Sequence, residues 1–117
     1  GGPMMGITVP DLGVPILKQT NAILALTEKE AKLPKATNCI RCGTCINTCP
    51  FGINPPALAK AYRDKDIEGI KKAGAEICME CGCCSFNCPA NRPITQTNKL
   101  AKALLREAAM KEKEASK

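Results

Sequence analysis

The chain has 117 residues, a net charge of +6 and nine cysteines, but no histidine, no tryptophan and three aromatic residues. Without histidine, Ser-His and Cys-His nucleophile pairs, His-ligated haem and Cys2His2 zinc fingers are excluded. The 44% of hydrophobic residues includes 15 alanines and nine cysteines, so few large side chains remain for a core, and we expect a cofactor or cross-links to stabilise the domain. With few aromatic rings to stack on bases, and most of the excess charge after residue 90, we expect no nucleic acid partner.

Residues 1–38 are expected to be a linker at the tail of an upstream domain, because they contain four prolines and start without an initiator methionine. No apolar run approaches the ~20 residues of a membrane helix, and no secretory signal opens the chain. The apolar segments 14–17 and 22–26, separated by polar residues, predict a short β-hairpin. The alternative is a helix that starts within residues 22–32.

Three helices are predicted in the rest of the chain. Asn54 and the two prolines after it are typical of a helix start, and the helix continues over 57–63. A second helix starts near Asp66, where apolar residues recur three apart on one face. The third starts at Pro93 and shows helical spacing of apolar residues. Residues 111–117 are expected to be a frayed tail.

Two runs of cysteines form an internal repeat. Residues 39–50 align without gaps on residues 78–89, with four cysteines, one glycine and one proline in common. Each run has the form Cys-x2-Cys-x2-Cys-x3-Cys-Pro, the bacterial iron–sulfur pattern, in which the fourth cysteine binds the other cluster. We therefore expect two [4Fe–4S] clusters. The predicted ligands of cluster 1 are Cys39, Cys42, Cys45 and Cys88, and those of cluster 2 are Cys78, Cys81, Cys84 and Cys49.

Other interpretations of the cysteines fit the pattern less well. An odd number of closely spaced cysteines without a secretory signal argues against disulfides. A structural zinc module is the remaining alternative, but a duplicated four-cysteine run offers too many thiols too close together for zinc. Cys83 is the ninth thiol, and its repeat partner is Thr44, which cannot replace a thiolate. We therefore expect Cys83 to be an unligated thiol beside the cluster.

Further differences and similarities between the runs bear on their chemistry. Gly43 and Gly82 are interpreted either as turn residues or as positions where the backbone approaches inorganic sulfide. Arg41 in the first run corresponds to Glu80 in the second. A nearby cation favours the reduced cluster, so we predict the higher potential for cluster 1, unless solvent screens both charges. Lys99, Lys102 and Arg106 form a candidate docking face, or an ordinary solvated helix face.

Several motifs around the runs carry a family resemblance. They are the opening Gly1-Gly2-Pro3-Met4-Met5-Gly6, the Ala25-Leu26-Thr27-Glu28 stretch, Cys39 through Gly52, Pro56 through Lys60, Arg63 through Asp66, and Cys81 through Pro89. Together they resemble the ferredoxin-like part of the C subunit of the Rnf complex. The resemblance covers nearly the whole chain.

This resemblance implies a mainly α fold. Residues 39–110 would form an α-helical ferredoxin-like domain with two [4Fe–4S] clusters, preceded by a short β or irregular segment. It also implies a membrane-bound oxidoreductase that couples electron transfer between ferredoxin and NAD to the pumping of Na+ or H+. In such an enzyme the chain would be a one-electron relay without substrate-converting residues.

The same resemblance predicts the surroundings of the chain. FMN and NAD are expected only in an upstream flavin and NAD domain of the same protein, and the other subunits of the complex are the expected partners. The location would be the cytoplasmic side of the membrane, peripheral through those subunits. The alternative is an iron–sulfur relay subunit of the heterodisulfide reductase or succinate dehydrogenase type.

Overall fold

The computed structural model describes residues 4–5, 9, 11–18, 20 and 22–115. Within these ranges all regular secondary structure is helical and no residue lies in a β-strand. The helices are α1 (Glu28–Ala31), α2 (Thr44–Asn47), α3 (Pro55–Arg63), α4 (Ile67–Lys72), α5 (Cys83–Phe86) and α6 (Ile94–Ala115). None of the helices in the described ranges is long and apolar enough to cross a membrane.

The β-hairpin predicted before α1 does not form. Residues 14–17 and 22–26 are irregular and exposed. The backbone N–H of Thr20 donates to the carbonyl of Leu17 at 2.9 Å, which is a turn, while residues 19 and 21 of the predicted turn lie outside the described residues. A two-stranded hairpin needs a further strand or a helix against its apolar face, and both segments leave their apolar side chains in solvent. The strand prediction was therefore wrong, and the alternative helix is limited to the single turn α1.

The three longer helices agree with the sequence. The side chain of Asn54 accepts from the backbone N–H of Ala57 at 3.1 Å, with prolines in the first turn of α3. The side chain of Asp66 caps α4 in the same way, by accepting from the N–H of Gly69 at 2.9 Å. Helix α6 starts directly after Pro93 and includes residues 111–115, where fraying was predicted.

A small apolar core lies where α3, α4 and α6 meet. Leu58 of α3 and Ile70 of α4 are fully buried, and they pack with Ala75 and with Leu105 of α6. The core continues directly into the second cysteine run, because the backbone N–H of Cys78 donates to the carbonyl of Ala75 at 3.3 Å. The second run is therefore attached to the core of the domain.

The two cysteine runs share one backbone conformation. Residues 39 positions apart have matching positive φ angles: 56° and 58° at Arg41 and Glu80, 77° and 86° at Gly43 and Gly82, and 63° and 49° at Gly52 and Asn91. A positive φ is unfavourable for residues with a Cβ, so its recurrence at Arg41 and Glu80 indicates that the turn requires it. The repeat in the sequence is thus a repeat in the structure.

Candidate iron–sulfur site

A pocket beside the second run brings together cysteines from both runs. Five cysteines line it: Cys78, Cys81, Cys83 and Cys84 from the second run and Cys49 from the first. Ile53, Pro55 at the start of α3, and Thr95 and Asn98 of α6 also line it. All four cysteines predicted for cluster 2 therefore lie at one pocket, including the one that comes from the other run.

The cysteines predicted for cluster 1 lie nearer the surface. Cys39 and Cys42 are exposed, Cys88 is half-buried and Cys45 is buried. Burial raises the pKa of the Cys45 thiol, and the neighbouring thiols of Cys84, Cys88 and Cys39 raise it further. Cys45 thus lies within electrostatic range of two of its predicted partners. It also lies within range of Cys84, which is predicted for the other cluster.

Thr44 and Cys83 occupy equivalent positions in the two runs but take part in hydrogen bonds with opposite effects on the pKa of a thiol. A hydrogen bond between the Thr44 hydroxyl and the Cys42 sulfur, 3.3 Å apart, lowers the pKa of Cys42. A hydrogen bond with Cys81 raises the pKa of Cys83 above its usual value. The hydrogen bond with Thr44 therefore favours the thiolate form of Cys42, a predicted ligand. The hydrogen bond with Cys81 instead favours the neutral thiol form of Cys83.

Two buried polar side chains of α6 face the second run, and neither was predicted from the sequence. Thr95 and Asn98 are each 2% exposed. The Asn98 amide donates to the Cys78 sulfur at 3.6 Å, and its Oδ1 is buried without a hydrogen-bond partner among the described residues. Burying such groups is costly unless they are hydrogen-bonded. The available signal was their spacing of three on the apolar face of the helix, ahead of Leu105.

The Thr95 hydroxyl contacts two side chains of the second run. Its hydroxyl lies 2.8 Å from the Ser85 hydroxyl and 3.7 Å from the Cys84 sulfur. Burial raises the pKa of Cys84, and the hydrogen bond with Thr95 lowers it in part. Metal binding replaces the proton of such a thiol, so Thr95 is positioned to stabilise the thiolate that a cluster needs.

The lysines of the candidate docking face are largely engaged at the second run. Lys102 Nζ lies 2.9 Å from Glu80 Oε1 and donates to the Cys78 carbonyl at 2.8 Å. Lys99 Nζ lies 3.9 Å from Glu80 Oε2 and donates to the Met5 carbonyl at 2.6 Å. Only Arg106 of the three predicted cations is exposed. The second run therefore does not carry a lone negative charge opposite the positive charge of Arg41, because Lys99 and Lys102 lie beside Glu80.

By the chemistry of their donor atoms, rather than by the placement of their side chains, the residues around the pocket fit an iron–sulfur cluster. Cysteine thiolates are the usual ligands of such clusters, and a buried amide beside the Cys78 sulfur is the kind of hydrogen-bond donor that surrounds them. Across the ranges that the structure describes, no group of three or more His, Cys, Asp or Glu side chains is arranged to hold a metal ion.

Comparison with known proteins agrees with the cysteine pattern. Residues 35–91 match the 4Fe-4S dicluster domain family. Over 107 residues, or 92% of its length, the chain is 45% identical to the C subunit of the ion-translocating oxidoreductase complex of Rhodobacter capsulatus. This chain is homologous to part of the C subunit of ion-translocating oxidoreductase complexes. The C subunit of Pasteurella multocida is 37% identical over 98% of the chain. The predicted resemblance to the Rnf C subunit is confirmed.

The chain spans only a small part of these relatives. It covers 21% of the Rhodobacter capsulatus protein and 14% of the Pasteurella multocida protein. A further relative is 43% identical over 51% of the chain, and the chain covers 14% of it. That relative is the C subunit of a Na(+)-translocating ferredoxin:NAD(+) oxidoreductase complex from Acetobacterium woodii.

Proposed function

We propose that the chain is a one-electron relay that holds two [4Fe–4S] clusters in a subunit of a membrane-bound, ion-pumping ferredoxin:NAD oxidoreductase. The observation that carries the proposal is the pocket at which Cys49 joins four cysteines of the other run, three of which are predicted ligands. This crossing of ligands between runs is the arrangement that the duplicated motif predicts. The match of residues 35–91 to a 4Fe-4S dicluster domain supports it independently.

The proposed ligands are divided between the runs. Cluster 2 is held by Cys78, Cys81, Cys84 and Cys49, which share the pocket. Cluster 1 is held by Cys39, Cys42, Cys45 and Cys88; Cys45 lies within electrostatic range of Cys39 and Cys88, and also of Cys84 from the other set. Cys42 is included on its spacing in the run. Cys83 also lines the pocket but stays unligated, because its repeat partner is Thr44.

The protein contributes positioning and hydrogen bonds to this relay. When bound, iron–sulfur clusters accept and pass single electrons. Asn98 donates to the Cys78 sulfur at 3.6 Å, and Thr95 contacts the Cys84 sulfur. Lys102 brings a positive charge to the carbonyl of Cys78. These groups favour the negatively charged, reduced form of cluster 2. No residue of the relay converts a substrate.

The partners follow from the same family relation. We propose that the chain works beside an upstream flavin and NAD domain of the same protein, which would hold FMN and NAD, and beside other subunits of the complex. Its place would be peripheral, on the cytoplasmic side of the membrane. The relatives are subunits of an ion-translocating oxidoreductase complex and of a Na(+)-translocating ferredoxin:NAD(+) oxidoreductase complex, which supports the proposal that other subunits are partners.

The test is metal and sulfide analysis of the anaerobically reconstituted chain, together with its electron paramagnetic resonance spectrum after reduction with dithionite. We expect eight irons and eight sulfides per chain, the content of two [4Fe–4S] clusters, with spin-coupled signals from adjacent reduced centres. Two zincs without sulfide would contradict the relay and identify a structural zinc module. Four irons would contradict the second cluster.

A further inference from the structure

Gly43 and Gly82 occupy equivalent positions but have different neighbours. Both have positive φ angles, 77° and 86°, and each precedes a one-turn helix. A Cβ built on Gly43 meets no heavy atom of the described residues within 4 Å. A Cβ built on Gly82 would collide with the carbonyl oxygen of Met4 and would lie 2.7 Å from the Met4 Cβ. The turn explains both glycines, but the close approach of Met4 is specific to Gly82.

The residue after Met4 is held by a second contact. The Met5 carbonyl accepts a hydrogen bond of 2.6 Å from Lys99 Nζ, across 94 positions of sequence. Lys99 also lies 3.9 Å from Glu80, which is ion-paired with Lys102 at 2.9 Å. Met4 therefore packs against Gly82 of the second run, and Met5 is hydrogen-bonded to Lys99 of α6.

We propose that residues 4–5 form a cover over the second cysteine run, which limits the access of solvent and small solutes to cluster 2. Gly82 leaves room for Met4, since any larger residue at position 82 would displace it. Lys99 holds Met5 in place through the hydrogen bond to its carbonyl. The inference rests on the proposed function for the presence of the cluster. In the part of the chain that the structure describes, the first run has no such contact at Gly43, and its Cys39 and Cys42 are exposed, so cluster 1 is the more accessible of the two.

The cover is tested by the release of iron from the reconstituted chain to an excess of a water-soluble iron(II) chelator under anaerobic conditions. We compare Gly82→Ala with Gly43→Ala, because both introduce the same Cβ at the same positive φ and only Gly82→Ala displaces Met4. In the unchanged chain we expect a fast and a slow phase, the slow one from cluster 2. Gly82→Ala should speed the slow phase roughly tenfold, which corresponds to about 1.4 kcal/mol. Gly43→Ala should leave the slow phase unchanged.

A third variant, Lys99→Met, removes the hydrogen bond to Met5 and also the 3.9 Å ion pair with Glu80, while the residues of the run stay unchanged. It should also speed the slow phase, and it decides the question if Gly82→Ala fails to bind eight irons. Equal slow phases in Gly82→Ala and Gly43→Ala, or an unchanged slow phase in Lys99→Met, would overturn the cover.

Failure of the proposed function is distinguished by the iron count. Fewer than eight irons in the unchanged chain contradicts the two-cluster relay itself. Amide hydrogen exchange of residues 80–84 then decides the cover: faster exchange in Gly82→Ala than in Gly43→Ala supports it, and equal exchange overturns it.

Discussion

The two cysteine runs have the same backbone and different surroundings. The positive φ angles recur at equivalent positions, and α2 and α5 are equivalent single turns. The second run, however, is hydrogen-bonded to the core at Ala75 and faces Asn98 and Lys102 of α6. The first run keeps Cys39 and Cys42 exposed. Duplication of the motif thus gives two local scaffolds, and the packing of α6 makes their environments unequal.

The unequal environments are expected to affect electron transfer. A cluster beside buried hydrogen-bond donors and a lysine has a different potential from one near the surface, because both factors stabilise added negative charge. Glu80 alone would have the opposite effect, but Lys102 and Lys99 compensate its charge. The side chains of α6, rather than the Arg41 and Glu80 pair, are therefore expected to distinguish the two centres.

The largest expected effect separates two adjacent cysteines that line the same pocket. Cys84→Ala should lose cluster 2 and lower the iron content from eight to about four per chain, because a [4Fe–4S] cluster needs its four thiolates. Cys83→Ala, the matched control, should keep eight irons. Iron and sulfide analysis measures both. A loss of four irons from Cys83→Ala would exchange the roles of the two residues.

The apolar core between α3, α4 and α6 is tested at Leu58. This side chain of α3 is 0% exposed in the core that α3 forms with α4 and α6. Leu58→Ala should therefore lower the free energy of unfolding by about 2–5 kcal/mol. Leu24→Ala removes the same atoms from an exposed position and should change it by less than about 0.5 kcal/mol. Denaturant titration of the cluster-loaded chain, followed by circular dichroism, measures both. Similar values for the two variants would contradict the core described above.

The influence of charge is tested at Lys102. Lys102→Met removes a cation that contacts both Cys78 and Glu80, so the potential of cluster 2 should fall while that of cluster 1 stays unchanged. The control is Arg106→Met, which removes the same charge from an exposed position of α6. Redox titration monitored by electron paramagnetic resonance measures both potentials. Equal shifts in the two variants would indicate an effect of net charge alone.

A smaller shift is expected at Asn98. Asn98→Leu keeps a similar volume but removes the amide that donates to the Cys78 sulfur. The reduced cluster 2 loses a hydrogen bond, so its potential should fall by less than in Lys102→Met. Cluster 1 serves as the internal control in the same titration. An unchanged potential of cluster 2 would remove Asn98 from the groups that distinguish the two sites.

The helices could be predicted where their signals are local. Asn54 followed by prolines and Asp66 ahead of an apolar repeat mark helix starts through caps that involve neighbouring residues, and both were confirmed. The hairpin over 14–26 was predicted from apolar segments alone and was wrong, since strands depend on partners that the sequence pattern does not specify. The positive φ at Arg41 was missed, because a residue with a Cβ gives no local signal for it.

In the candidate site, too, features with a local sequence signal could be predicted and contacts between distant residues could not. The spacing of the cysteines predicted which of them would come together around cluster 2, and the pocket contains Cys49 together with the second run. The ligand assignment itself stays a prediction. The contacts of Lys102 with Cys78 and of Lys99 with Met5 join residues 24 and 94 positions apart, and no motif connects them. These contacts could be found only in the folded chain.

By itself the sequence determined the repeated cysteine pattern, from which the clusters are predicted, and the starts of the three longer helices, because cysteine spacing and helix-start signals act over a few neighbouring residues. The tertiary structure decided what surrounds each run: Asn98 and Lys102 lie at the second run, and exposed thiols lie at the first. Met4 lies against Gly82, whereas no described residue lies against Gly43. The physical reason is range. Hydrogen bonds, ion pairs and close packing depend on distances in space, and those distances are set by how α3, α4 and α6 pack around the core.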